Sequence, residues 1–171
     1  MGKRRLDAQR RMLLREAGAT YCCDANTLKD LYYAGLLKKL GLWVRTGHVK
    51  IPEGVYRELR QRSDRLRNVL RTWDSKYSAV VQLNLAEKNQ LSHIERTYGP
   101  QFTIGKITYP GLWASRSGKR AADGQVIAVG KVRGWVVVSN DGSVKGACAK
   151  EGIECIAWED FARRLGLIGL L

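Results

Sequence analysis

The chain has 171 residues, 44% of them hydrophobic and 27% charged, proportions that suit one globular domain able to bury a core without disulfides or a structural metal. Its 30 Lys and Arg residues against 16 Asp and Glu give a formal net charge of +14, spread over several segments, which favours a nucleic-acid-facing surface over a merely solubilising one. No apolar run is long enough to cross a bilayer, and the basic start is not followed by an apolar stretch, so a cytoplasmic protein with no membrane partner is expected.

Residues 1–19 carry Lys3, Arg4, Arg5, Arg10, Arg11 and Arg15 with Leu6, Leu13 and Leu14 between them, and read as a basic N-terminal extension, either an amphipathic helix or a solvated arm. Residues 20–171 form the domain proper. A buried strand over 19–23 ends at Asp24, and a helix follows whose apolar positions Leu28, Leu31, Tyr32, Leu36 and Leu40 recur at helical spacing up to a stop at Gly41. A second strand is expected at 48–51, with Pro52 opening a helix through Val55, Leu59, Leu66 and Leu70. Another helix is expected over about 79–97, ending at Tyr98-Gly99-Pro100.

An irregular insertion at about 98–120, rich in Gly, Ser and Pro, holds a hairpin over 102–109 around Gly105-Lys106. Beyond it come a helix (121–131), a strand (135–139), a helix (143–151), a strand (154–157) and a terminal helix with an apolar tail from residue 158 on. The tail Leu165–Leu171 should pack on its own domain or on a second copy, with a homodimer favoured. Cys22 and Cys23 are adjacent and Cys148 and Cys155 lie seven apart. That spacing holds no zinc, so all four read as small buried hydrophobes in a reducing compartment.

Strands alternating with helices predict an α/β fold, a three-layer α/β/α sandwich around a central, mostly parallel sheet. In such sheets functional groups gather outside the carboxyl ends of the strands, and both Asp24 and Asp141 follow predicted strands at that edge. No dinucleotide fingerprint or phosphate loop accompanies them. Each acid also has a local explanation: Asp24 as a helix cap, Asp141-Gly142 as a turn, Glu58 paired with Arg62, and Asp123 as a helix start. With only His48 and His93, a paired-imidazole ribonuclease mechanism has little support.

The segments Tyr-Cys-Cys-Asp-Ala-Asn-Thr-Leu (21–28), Val-Lys-Ile-Pro-Glu-Gly-Val-Tyr-Arg-Glu-Leu (49–59), Ala-Ala-Asp-Gly-Gln-Val-Ile-Ala (121–128) and Val-Val-Val-Ser-Asn-Asp (136–141) resemble, in order, the four blocks of the PIN-domain nucleases. The resemblance implies a PIN-like, metal-dependent endoribonuclease in which Asp24, Glu58, Asp123 and Asp141 form an acidic quartet, with Asn26 and Ser139 in support. It also implies Mg²⁺ or Mn²⁺ as cofactor, RNA as substrate and, as in VapC-type toxins, a small antitoxin protein as partner. Hard oxygen ligands suit those ions, which position water and neutralise charge on a scissile phosphate.

Arg57, Arg116, Lys119 and Arg120 are the expected phosphate contacts, and Trp113 beside them either stacks on a base or anchors its loop. Two other classes stay open: a non-catalytic nucleic-acid-binding adaptor of the same fold, and a structure-specific DNA nuclease.

Overall fold

The computed structural model describes residues 18–115, 118 and 122–169. The basic residues of 1–17, Arg116, Lys119, Arg120 and the last two leucines of the tail lie outside the described residues. Five short strands form one parallel sheet in the order β3-β2-β1-β6-β7: β1 Tyr21–Cys23, β2 Val49–Pro52, β3 Val80–Val81, β6 Val136–Val138 and β7 Cys155–Ile156. Tyr21 sits opposite both Val49 and Val136 in register. The residues of β1 and β6 are buried throughout, the expected state of parallel strands covered by helices on both faces. A separate antiparallel hairpin, β4 (Phe102–Ile104) and β5 (Ile107–Tyr109), stands where Gly105-Lys106 predicts it.

Eight α-helices among the described residues complete the three-layer α/β/α sandwich: α1 Ala25–Tyr33, α2 Leu37–Arg45, α3 Glu53–Leu59, α4 Arg65–Tyr77, α5 Leu85–Tyr98, α6 Asp123–Arg133, α7 Gly142–Glu151 and α8 Trp158–Arg164. Helix α6 lies against β1, β2 and β6, and its Val126, Ile127, Ala128 and Val129 are fully buried.

Several boundaries differ from the sequence reading, each for a local reason. The apolar series from Leu28 to Leu40 belongs to two helices, because Gly35 adopts φ 72° between α1 and α2 and the chain reverses there. Gly41 lies inside α2 and stops nothing. The pattern from Val55 to Leu70 is likewise split, with α3 ending at Leu59 and α4 starting at Arg65. Pro52 ends β2 and precedes α3 rather than opening it.

The expected helix over 79–97 begins instead with strand β3. Helix α5 starts only after Asn84, whose side chain accepts from the Glu87 amide while Glu87 accepts from the Asn84 amide, a reciprocal cap. Glu87 is fully buried and paired with Arg133, whose Nε lies 2.5 Å from its Oε1.

The described part of the apolar tail packs on its own chain. Leu165 and Leu167 are buried, Trp43 Nε1 donates to the Leu165 carbonyl at 3.1 Å, and Lys39 Nζ to that of Leu167 at 3.5 Å. That packing removes the reason the sequence offers for a homodimer. No helix among the described residues is long and apolar enough to cross a membrane.

Candidate acidic site

The strand order reverses direction at the seam between β1 and β6, since β2 and β3 lie to one side and β7 to the other. The carboxyl end of such a seam opens a crevice, because the connections leave it on opposite sides. Asp24 follows β1 and Asp141 follows β6, one on each lip.

Asp24 is 1% exposed and caps α1, its Oδ1 accepting from the Thr27 amide at 2.7 Å. Thr27 in turn donates its hydroxyl to the Val138 carbonyl at 3.0 Å, so α1 is hooked to the neighbouring strand. Asp141 caps α7 in the same manner, with Oδ1 accepting from the Val144 amide at 3.0 Å. The capping role that the sequence suggests for Asp24 is found, whereas Asp141, expected to form a turn with Gly142, caps a helix instead; each keeps a second carboxylate oxygen outside its cap bond.

Ser139 acts on both lips. It is fully buried, its Oγ accepts from the Asp141 amide at 3.1 Å, and its hydroxyl acts on the Asp24 carboxylate, favouring the charged form against burial. One small side chain thus bears on both Asp24 and Asp141.

Asp123 opens α6 but makes no cap, for the cap position is Ala122. Burial, then the negative charges of Asp24, Asp141 and Glu58, push its carboxyl up to about 7. Burial also raises Asp24, against the hydrogen bonds from Ser139 and Thr27, with Asp141 adding to the rise. The fold thus brings Asp24, Glu58 and Asp141 within electrostatic reach of Asp123.

Among the described residues no three Asp, Glu, His or Cys side chains are gathered closely enough to chelate an ion together. Asp24, Asp141 and Glu58 act on Asp123 through space, and carboxylate oxygens of this kind are the donors that a hard divalent cation would take.

Glu58 is the penultimate residue of α3, where sequence reasoning puts it well inside a longer helix. Its suggested partner Arg62 instead bonds Asp64 and, at 2.8 Å, the Tyr33 hydroxyl. The start of α3 is tied to α6 by the Gly54 amide, which donates to Gln125 Oε1 at 2.9 Å. A Cβ on Gly54 would meet that side chain at 2.6 Å.

Asn26 is exposed on the first turn of α1, whereas Ser139 is fully buried. Arg57 is 67% exposed and lies 3.8 Å from Glu53. Trp113 sits in a 3₁₀ turn (Leu112–Ala114), with its amide bonded to the Gly99 carbonyl at 2.9 Å and its ring against Gly99, as an anchor of its loop.

Sequence reasoning missed Gln125 and Ser143, and it offered Asn26 or Thr27 as the cap of α1, a place that Asp24 takes while Thr27 bonds the neighbouring strand. Ser143 Oγ accepts from the Gly111 amide at 3.1 Å and brings the hairpin loop to the start of α7. No periodicity or charge pattern marks Gln125 or Ser143. Thr27 was detectable as a polar residue on the buried face of α1.

No protein-family model matches the chain, and no curated protein matches it. Among solved structures it is similar to the crystal structure of PAE2754 from Pyrobaculum aerophilum, with 15% sequence identity and a TM-score of 0.48 over 88% of this chain and 98% of that one. Likeness of that degree carries no argument about activity.

Proposed function

We propose that the protein is a PIN-like, metal-dependent endoribonuclease with its active site at the seam of β1 and β6. The observation that carries the proposal is the state of Asp123, a carboxyl raised first by its burial and then by three other acids from separate segments on a chain of net charge +14. A basic surface recruits a polyanion, while a local acidic focus is where a divalent ion belongs.

Asp24, Asp123 and Asp141 are the residues to hold Mg²⁺ or Mn²⁺, with Glu58 completing the set. When bound, the ion supplies an activated water and neutralises charge on the phosphate. The chain's own residues hold the geometry. Ser139 bears on both Asp24 and Asp141, Gln125 keeps α3, and with it Glu58, against α6, and the cap bonds, buried at Asp24 and half-buried at Asp141, restrain both aspartates. Arg57 and the basic residues 116, 119 and 120 are proposed to take the RNA backbone.

Incubation of folded, partner-free protein with single-stranded RNA and Mg²⁺ or Mn²⁺ tests the reading. Wild-type protein should cut the RNA and chelator should stop it. Asp24→Asn or Asp141→Asn should lower cleavage on the order of 10²-fold or more while RNA binding persists. Binding without cleavage across a broad RNA panel points to the adaptor, cutting of structured DNA alone points to the DNA nuclease, and chelator-resistant cleavage rejects the carboxylate mechanism.

A further inference from the structure

Tyr33 ends α1 and is 70% exposed, yet its ring is held in place. Arg62, in the connection between α3 and α4, donates from Nη2 to the Tyr33 hydroxyl at 2.8 Å and lays its guanidinium 5.8 Å from the ring centroid. Asp64 anchors the same guanidinium, accepting from Nε at 2.8 Å and also from Nη2. The Tyr32 ring stands 5.3 Å from that of Tyr33, tilted by 50°. Fixing an exposed aromatic ring in one orientation costs side-chain entropy and gains little burial, so packing of the core does not explain the arrangement.

The surroundings are strongly basic. Residues 57–71 hold six arginines against Glu58 and Asp64, and Arg57 and Arg60 are exposed on α3 and at its end. Arg60 makes a second pairing of the same kind, with its guanidinium 5.9 Å from the Tyr56 ring centroid. An exposed aromatic face among arginines is the surface that single-stranded nucleic acid uses, its bases stacking on the ring and its phosphates following the cations. A duplex keeps its bases stacked on one another and offers the ring no face.

The ring also lies near the acids. Helix α1 rises about 13 Å from Asp24 to Tyr33 and packs on α3. Beyond Glu58 the chain continues in tight turns, the Gln61 amide donating to the Glu58 carbonyl at 3.4 Å and the Arg62 amide to that of Leu59 at 3.1 Å. Four residues so wound advance about 6–8 Å, so Arg62 follows Glu58 closely enough for one short strand to occupy both places.

We infer that Tyr33 is a stacking platform for a base of single-stranded RNA, with Arg57 and Arg60 on the adjoining phosphates. Arg62 is a positioning residue, since it spends Nε and Nη2 on Asp64 and Tyr33 and sets the ring before the base arrives. Ordering the ring in advance lowers the entropic cost of binding. The inference rests on the RNA-binding half of the reading above and not on cleavage.

Full-length protein in chelator is titrated with fluorescently labelled single-stranded RNA, and affinity is followed by anisotropy over a range of salt. Tyr33→Ala should weaken binding about 5- to 100-fold with the salt slope unchanged, because stacking releases no counterions. Tyr33→Trp should restore most of the affinity. Arg57→Gln combined with Arg60→Gln should instead lower the slope by about 1.4. Irradiation of wild-type protein with an RNA carrying 5-iodouridine should give a crosslink in the tryptic peptide 30–38, placed on Tyr33 by fragmentation, a result that needs no variant.

Wild-type affinity in Tyr33→Ala overturns the inference and leaves the surface to a protein partner. Tyr33→Trp as weak as Tyr33→Ala, an equal loss on duplex RNA, or crosslinks confined to other peptides overturns it as well. Protein that shows the Tyr33 effect but never cuts RNA keeps the inference and refutes the nuclease, whereas cleavage with RNA binding indifferent to Tyr33 does the reverse.

Discussion

The Gly54 amide donates to Gln125 Oε1 at 2.9 Å, so the first turn of the Glu58 helix is fastened to the first turn of the Asp123 helix. Gly54→Ala places a methyl 2.6 Å from the far end of the Gln125 side chain. That end is flexible and can move, so the stability cost should be on the order of 1 kcal/mol, but the hydrogen bond is lost. Cleavage should drop more than thermal stability does. A double-mutant cycle with Gln125→Ala should show strong non-additivity in activity, and strictly additive effects would show that the two residues do not act together.

Ser139→Ala removes a buried hydroxyl that accepts from the Asp141 amide and acts on the Asp24 carboxylate. The loss should cost about 1 kcal/mol of stability and lower metal affinity and cleavage roughly 10–100-fold, as for other groups that orient ligands. Calorimetric titration with Mn²⁺ measures the affinity directly. Wild-type affinity in this variant would reduce Ser139 to a packing role.

Asp123 gives stability a pH dependence with a defined sign. Its carboxyl titrates near its ordinary value of 3.8 in the unfolded chain and at about 7 in the fold, so the native state holds the proton more tightly. The destabilising contribution is absent below the lower value and grows as pH rises up to about 7. Asp24 is shifted in the same direction. Glu151, held down to about 2 by Lys131, Tyr98 and His93 against the effect of burial, acts oppositely but only at more acid pH. In chelator, the melting temperature should fall between about pH 4 and about pH 7 and level off above that. Asp123→Asn or added Mn²⁺ should flatten that fall; an unchanged slope in the variant would assign the dependence elsewhere.

The Glu87–Arg133 pair ties α5 to the end of the Asp123 helix. Glu87 is fully buried, so Arg133→Ala strands a charge and should cost about 3–5 kcal/mol. Glu87→Gln with Arg133 intact should cost less, because the amide keeps a hydrogen-bond acceptor. Urea denaturation of the two variants provides the comparison, and equal losses would mean that the pair contributes packing rather than charge compensation.

The described part of the tail is spent on its own domain, so it should not hold a dimer together. Leu167 is 2% exposed within its own domain, and Leu167→Ala should therefore cost about 2–5 kcal/mol without changing the elution position in light-scattering chromatography. A dimer in the wild type that dissociates in the variant would show that the tail also serves a second copy.

The alternation of short apolar segments with helical patterns was enough to specify an α/β sandwich. Runs such as Val136-Val-Val138 bury on both faces only in a parallel sheet. Asp24 and Asp141 were legible for the same reason, as polar residues directly after such strands. Helix boundaries were less legible, since one apolar stripe continues in register across the breaks at Gly35 and Arg60–Asp64, and periodicity does not record a change of axis. Only the tertiary structure decided which acids sense one another, that Ser139 rather than Asn26 is the buried support, and that Gln125 joins two helices distant in sequence. These relationships depend on strand order and helix placement, which set distances between segments far apart along the chain, and a pattern of neighbours in sequence carries no term for such distances.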